Sequence, residues 1–233
     1  MKIQVIGSGS SGNAYIISDG ATALLLDAGM QYKKIQIATG FNISKLAGCL
    51  VTHSHMDHCK AVRDLAKAGV DVYTSQGTID SLNLVSHRIH PVKALDVFTV
   101  GTFTIKAFDV QHDAPEPLGF VITSNETNKK LLYVTDSYYT KYKFRGLTHI
   151  LIECNYDEEG LKKSIESGET SPEMAKRIRQ SHMSLEHLIE MLKANDLSRL
   201  QQIWLLHMSD VRGDAERYKQ EIMKLTGVEV YVA

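Results

Sequence analysis

The sequence has little of several features that would place a chain in a special class. Its three cysteines, Cys49, Cys59 and Cys154, are an odd number without paired spacing, which argues against a disulfide framework and favours a reducing compartment. Its net charge of −1 provides no global basic field, so a nucleic acid would need a local basic patch. No apolar run reaches membrane-spanning length, and the opening residues are too few and too polar for a signal-peptide core. These absences predict a cytoplasmic protein.

The 233 residues also lack any linker, solenoid-type repeat or low-complexity segment. Their composition, 43% hydrophobic and 23% charged, is ordinary for a globular protein. A chain of this length can bury one sizeable core. We therefore predict a single domain over residues 1–233.

Three histidines and an aspartate are concentrated in the stretch Thr52–His58, which follows a short apolar run typical of a buried strand. On an extended backbone His53 and His55 point to the same side, because side chains alternate with a period of two, and they can bind one metal ion. Asp57 and His58 follow once the chain has turned, so they can face a second position. A polar surface loop is the alternative, but this density of imidazole and carboxylate favours a site for zinc, manganese or iron.

Two earlier motifs have more than one interpretation. The glycine- and serine-rich loop Gly7–Asn13 lacks the lysine and the following helix of a phosphate-binding P-loop, so it is either a tight turn or a contact to substrate. Asp27 ends a buried strand, where a carboxylate needs partners. After the metal loop, apolar residues at helical spacing predict a helix over 61–69. Strands are predicted at Val92–Val100 and Thr102–Phe108.

Four further residues occupy positions where functional side chains are common. His112 follows the apolar stretch 105–110, Asp136 ends a hydrophobic strand, and His207 follows the strand 202–206. His182 precedes a helix with a clear apolar stripe. Solvent-exposed loop histidines and a strand-end acid are the structural alternatives. By contrast, His87 and His90 lie in a connecting region without ligand-like spacing, and a surface or structural role is favoured for them.

The metal loop, the loop Gly7–Asn13 and the segment Leu25–Gly29 around Asp27 together resemble the metallo-β-lactamase superfamily. They are most similar to its YycJ/WalJ-like branch, which includes phage-encoded relatives, and the resemblance covers essentially the whole chain. It implies an α/β fold, a four-layer αββα sandwich, in which Asp27 braces the metal loop and does not bind metal. It also implies a centre of two divalent cations. The ligands would be His53, His55 and His112 for one metal, Asp57, His58 and His207 for the other, and Asp136 as a bridge.

The same resemblance implies a metal-dependent hydrolase that cleaves phosphodiesters with a hydroxide generated by zinc or manganese, with iron also suitable. Asp57 and Asp136 would belong to the catalytic centre, and His182 would be the general acid, as in tRNase Z-like members. A DNA-processing exonuclease is favoured. A phosphodiesterase for small molecules or cyclic nucleotides and a non-catalytic metal-binding interaction protein remain alternatives, and a homodimer is left open.

The segment Ser137–Arg145 interleaves three cations with four aromatic residues directly after Asp136. Lysine and arginine would contact phosphates, and tyrosine rings would stack on bases. In the alternative interpretation, the rings pack underneath a surface segment. The sequence favours neither interpretation over the other.

Overall fold

The computed structural model describes residues 1–209 and 213–233. The chain divides into two units. The first unit contains Met1–Asp109 and Ala114–Lys129, and the second contains Val110–Asp113 and Lys130–Ala233. In the described ranges no helix has the length and apolar character needed to cross a membrane.

The first unit contains a six-stranded sheet with its strands in chain order. Its strands are β1 Lys2–Gly7, β2 Ala14–Ser18, β3 Ala23–Leu26, β4 Leu46–Leu50, β5 Val72–Thr74 and β6 Ile89–Pro91. The pairs β1–β2 and β2–β3 are antiparallel, and β3 to β6 run parallel. Strand β3 is entirely apolar and its leucines are fully buried, which is typical of a strand covered on both faces.

Three more strands and four helices complete the first unit. The antiparallel strands are β7 Val97–Val100, β8 Phe103–Asp109 and β9 Leu118–Ser124. The helices are α1 Tyr32–Ala38, α2 Met56–Cys59, α3 Val62–Lys67 and α4 Gln76–Ser81, with a short 3-10 helix at Ile43–Lys45. Val62 and Leu65 of α3 are buried with Leu25 and Cys49 in one apolar cluster. Each such side chain contributes about 1.5–3 kcal/mol of burial free energy, which anchors the helix that follows the metal loop.

Three sequence predictions in this unit need correction. The helix predicted over 61–69 is α3, which spans only Val62–Lys67, because the backbone N–H of Ala61 donates to the carbonyl of Ala28 and not to a helical partner. The strand predicted at Val92–Val100 begins only at Val97, since Leu95 has a φ of +76° and turns the chain. His90 lies in β6, where the sequence indicated only a connection.

The second unit is built on four parallel strands in the order β13-β12-β11-β10. They are β10 Lys130–Val134, β11 His149–Glu153, β12 Gln202–Leu206 and β13 Glu229–Val232. The helices are α5 Glu158–Glu166, α6 Pro172–Ser181, α7 Leu185–Ala194 and α8 Ala215–Thr226. Asp157, Ser171, Ser184 and Asp214 each cap one of these helices with a side-chain oxygen.

Candidate metal centre

In the first unit the candidate ligands lie in the loop between β4 and α2 and in α2 itself. The rings of His53 and His55 meet edge to face, and Nε2 of His53 is 3.1 Å from Nδ1 of His55. Two nitrogens that bind one tetrahedral zinc ion at about 2.0–2.1 Å lie about 3.3 Å apart. The pair therefore fits a single metal ion, as the alternation of side chains predicted.

Asp27 braces this loop, as the resemblance implied. Its Oδ1 accepts a hydrogen bond from the backbone N–H of Thr52 at 2.8 Å, and its Oδ2 is 2.8 Å from Nδ1 of His58. Thr52 also places its hydroxyl 3.0 Å from Nδ1 of His53. A histidine that donates one ring N–H to a carboxylate presents the other nitrogen as a lone-pair donor, which is the tautomer that a metal requires. His58 therefore fits a ligand role, with Asp27 as its orienting partner.

The glycine- and serine-rich loop packs on the metal loop. The backbone N–H of Asn13 donates to the carbonyl of Asp57 at 2.7 Å, and Nδ2 of Asn13 is 3.0 Å from Nε2 of His58. A Cβ added at Gly29 would lie 1.6 Å from the carbonyl oxygen of Asp57, so only glycine permits this approach. Both motifs that precede the metal loop in sequence therefore support its backbone.

In the second unit the candidate residues lie at the ends of strands. Strand β11 ends at Glu153, whereas Asp136 follows β10 and His207 follows β12. Because these strands are parallel, their carboxyl ends lie at one edge of the sheet. Asp136 and His207 have φ values of +46° and +49°, a left-handed conformation that turns the chain sharply after each strand. The fold thus gathers side chains that are far apart in sequence.

Asp136 lies between two histidines of this unit. Its Oδ1 is 2.8 Å from Nδ1 of His207, and its Oδ2 is 3.7 Å from Nε2 of His112. The carboxylate is buried, and each of its two oxygens faces a different imidazole. This arrangement fits a carboxylate that contacts two cations.

His112 is oriented by a backbone carbonyl. Its Nδ1 lies 2.9 Å from the carbonyl oxygen of Ser181, to which it donates, so Nε2 carries the lone pair. Burial lowers the pKa of His112, which keeps the ring neutral as a metal ligand must be. The neighbouring Asp113 does not orient the ring: its Oδ1 is 3.3 Å from Nε2 of His112, and its Oδ2 pairs with Arg177.

Glu153 is a functional candidate that the sequence reasoning missed. It is fully buried, and its Oε1 is 2.6 Å from Nδ1 of His182 and 3.1 Å from Nδ1 of His207. Its Oε2 accepts hydrogen bonds from the backbone N–H groups of Ser137 and Met183. A carboxylate directly after the buried apolar run Ile150–Ile152 was the available signal, because burying it requires partners.

The two histidines on Glu153 differ in exposure. The side chain of His182 is 22% exposed, whereas that of His207 is 6% exposed. Burial opposes the charge on His182, but Glu153 outweighs it and raises the pKa of His182 above its usual value. Burial likewise opposes charge on His207, but Asp136 and Glu153 raise the pKa of His207 to about 10. Two carboxylates around an imidazole stabilise a positive charge there, carried either by a proton on the ring or by a bound metal ion.

Each unit therefore contains a donor set suited to divalent metal. In the first unit the ring of His53 contacts those of His55 and His58, and Oδ2 of Asp57 is 3.5 Å from Nε2 of His58. The second places ligand atoms of Asp136, Glu153, His182 and His207 within 4.8 Å of one another, with His112 beside Asp136. Imidazole nitrogens and carboxylate oxygens suit zinc, manganese and iron alike.

Comparison with known proteins shows which family the chain is similar to. Residues 22–208 match the family model described as beta-lactamase superfamily domain. The chain is also similar to the fold of YhfI from Bacillus subtilis, a metallo-beta-lactamase fold protein, with a TM-score of 0.77 and 18% identity over 99% of this chain and 95% of that one. The predicted αββα fold class is confirmed.

Two relatives carry names of enzymes. Exodeoxyribonuclease WalJ of Streptococcus pneumoniae is 30% identical over 89% of this chain and 81% of its own length. Exodeoxyribonuclease YycJ of Bacillus anthracis is 31% identical over 70% of this chain, and the match spans 66% of that relative. The predicted hydrolase class and the YycJ/WalJ-like branch are confirmed.

Proposed function

Because this chain belongs to the beta-lactamase superfamily, we propose that it is a two-metal phosphodiesterase that processes DNA as an exonuclease. Three observations support it: the ligand geometry within each unit, the contact between His182 and Glu153 beside the second ligand set, and two relatives named as exodeoxyribonucleases. The two units would together form one catalytic domain over residues 1–233.

The proposed ligand set combines both units. One cation would be held by His53, His55 and His112, and the other by Asp57, His58 and His207, with Asp136 contacting both. Two bound cations would polarise the phosphate and lower the pKa of the attacking water. Zinc and manganese are the preferred candidates, and iron also suits these donors.

The residues of the chain have distinct tasks in this proposal. Asp27 and the Ser181 carbonyl fix the tautomers of His58 and His112, so that each presents a lone pair. Glu153 holds Nδ1 of His182 and favours the protonated ring. His182 would then donate a proton from its other nitrogen to the leaving oxygen of the cleaved ester.

The observation that carries phosphodiester cleavage is the contact between His182 and Glu153. A buried carboxylate holds a partly exposed imidazole beside Asp136 and His207, where a leaving group would need a proton. Hydrolysis of a strained amide such as a β-lactam does not account for this pair or for the basic residues that follow Asp136. The three thiols are buried and free, which agrees with the proposed location in a reducing cytoplasm.

The test uses purified protein loaded in turn with manganese and with zinc. We expect progressive loss of ends from 5′-phosphorylated linear DNA, and Asp136→Ala, prepared in parallel, should remove this activity and excludes a contaminating nuclease. Activity that persists in Asp136→Ala would contradict the proposal. So would a lack of turnover on duplex DNA, single-stranded DNA and RNA.

A phosphodiesterase for small molecules or cyclic nucleotides is the second candidate. The net charge of −1 favours it, since a long polyanion is bound most readily by a basic surface. A panel of cyclic nucleotides in the same assay separates the two. Hydrolysis of these with polymers left intact would establish the second candidate.

A further inference from the structure

The basic and aromatic segment of the second unit has a regular pattern of exposure. Thr140 and Phe144 are buried, whereas the alternate residues Lys141, Lys143 and Arg145 are exposed. Tyr139 continues the exposed row, with 42% of its surface accessible. The row Tyr139, Lys141, Lys143 and Arg145, called here the exposed row, therefore presents one aromatic ring followed by three cations.

Contacts at both ends fix this segment in place. At its start, the backbone N–H of Ser137 donates to Glu153 at 3.1 Å, and the Ser137 hydroxyl donates to the carbonyl of Tyr139 at 2.7 Å. At its end, the backbone N–H of Phe144 donates to Oδ1 of Asn195, the residue that follows α7. The exposed row is thus tied to the same carboxylate that positions His182.

Between the segment and α7 lies a groove of about 220 Å³. One wall is formed by Tyr139, Tyr142 and the lysines of the exposed row, and the other by Glu190, Met191 and Ala194. The volume is below the about 300–1,000 Å³ of sites for drug-sized ligands, so it suits a single flat ring better than a whole small molecule. The ring of Tyr139 is braced edge to face by His187, at 6.2 Å between centroids.

We propose that the exposed row and this groove bind a single DNA strand next to the cleaved bond. A base would stack on Tyr139, and phosphates would pair with Lys141 and Lys143. The inference rests on the proposed function, because it assigns the substrate strand of that same site. Charge decides which wall of the groove the phosphates of the strand face. The exposed row carries three cations and no acid, whereas Glu190 on the opposite wall repels phosphate.

A single strand fits these features better than a duplex. Stacking on a side chain needs an exposed face of the base, which a paired and stacked duplex does not offer. A single short row of cations can also contact the phosphates of only one strand. The near-neutral net charge then presents no obstacle, because the basic field is local.

The test is binding of a fluorescent, phosphorothioate-linked oligo(dT) strand to the metal-loaded protein, followed by anisotropy. Tyr139→Ala should raise Kd about 5- to 100-fold, and Tyr139→Phe, which keeps the ring, should restore binding. Lys141→Ala with Lys143→Ala should reduce the slope of log affinity against log salt by about 1.4. The matched pair Lys162→Ala with Lys224→Ala removes two exposed lysines elsewhere in the unit and should leave that slope unchanged.

Equal affinity of Tyr139→Ala and the unchanged protein for the single strand would overturn the inference. So would binding of duplex DNA as tightly as the single strand, with no dependence on Tyr139. Metal content measured in each variant reports whether the fold is intact. Turnover of bis(p-nitrophenyl) phosphate by the unchanged protein tests the proposed function separately, since this small ester does not need the groove. The two ideas can therefore fail independently.

Discussion

The two units hold their candidate ligands in different ways. In the first, all of them come from one short stretch, His53–His58. Asn13 donates to its backbone, and Asp27 contacts the preceding Thr52 and the ring of His58. In the second, the residues follow separate strands and are joined through the carboxylates of Asp136 and Glu153. One half is a local motif, and the other is a product of tertiary structure.

The two units therefore differ in how partner residues orient the candidate ligands. The first unit orients its histidines with partners that lie away from the reacting groups, so a defect there should weaken metal binding without altering proton transfer. The second unit uses one buried carboxylate, Glu153, for both the proposed proton donor His182 and the candidate ligand His207. A defect there should affect metal and rate together.

The largest expected effect concerns the proton donor of the second unit. His182→Ala should keep bound metal but lose about 10²- to 10⁴-fold in kcat, the range typical of a general acid. Glu153→Gln should lower both kcat and metal content, because an amide has one acceptor oxygen where the carboxylate accepts from two histidines and two backbone N–H groups. Steady-state kinetics on a nucleic-acid substrate and elemental analysis of the same preparations check this. The exposed His87→Ala is the control, and equal turnover in His182→Ala and the control would return His182 to a surface role.

A smaller effect is expected when the first unit loses its orienting carboxylate. Asp27→Asn places an amide opposite Nδ1 of His58 and favours the wrong tautomer, so metal affinity should fall about 10- to 100-fold. Competition with a chromogenic chelator measures this. Asp71→Asn is a matched control, because Asp71 pairs with His90 at 3.0 Å in the same unit without belonging to the ligand set. Affinity that falls equally in both variants would refute a specific role for Asp27.

The smallest effect lies away from both ligand sets, at Asp19 in the turn between β2 and β3. Burial opposes its charge, but hydrogen bonds from Thr102, Thr22, Ser124 and Ala21 lower the pKa of Asp19 from 3.8 to about 2. A carboxylate whose pKa is depressed in the folded state stabilises the protein above pH 3.8, and the contribution disappears as the pH falls towards 2. Allowing for solvent screening, the contribution is about 1–2 kcal/mol.

Urea unfolding of the unchanged protein and of Asp19→Asn checks this prediction. The difference in free energy of unfolding between them should be largest at pH 5–7. It should shrink as the pH is lowered through the window below 4. A difference that stays constant with pH would show that the carboxylate charge contributes nothing.

The first unit could be predicted from sequence because its information is local. The alternation of His53 and His55 and the buried acid Asp27 specify side-chain directions without knowledge of the fold. The start of α3 at Val62, one residue later than predicted, could not be anticipated, since it depends on a hydrogen bond between Ala61 and the distant Ala28.

The second unit was only partly predictable. Strand ends indicated Asp136 and His207 as candidates, because a polar residue after an apolar strand is a visible signal. Glu153 was missed although it ends β11 in the same way, since nothing in the sequence shows that Ser137, Met183 and two histidines converge on its carboxylate. Likewise, the carbonyl of Ser181 that orients His112 has no sequence signature at all.

The proposed function requires that residues of both units bind one pair of metal ions, and metal content tests this proposal most directly. We predict two metal ions per chain in the unchanged protein. Asp136→Ala, although it alters only the second unit, should deplete both ions, and His53→Ala combined with His55→Ala should lower the total in the same way. Two ions retained in Asp136→Ala would contradict the account, because the halves would then bind metal separately.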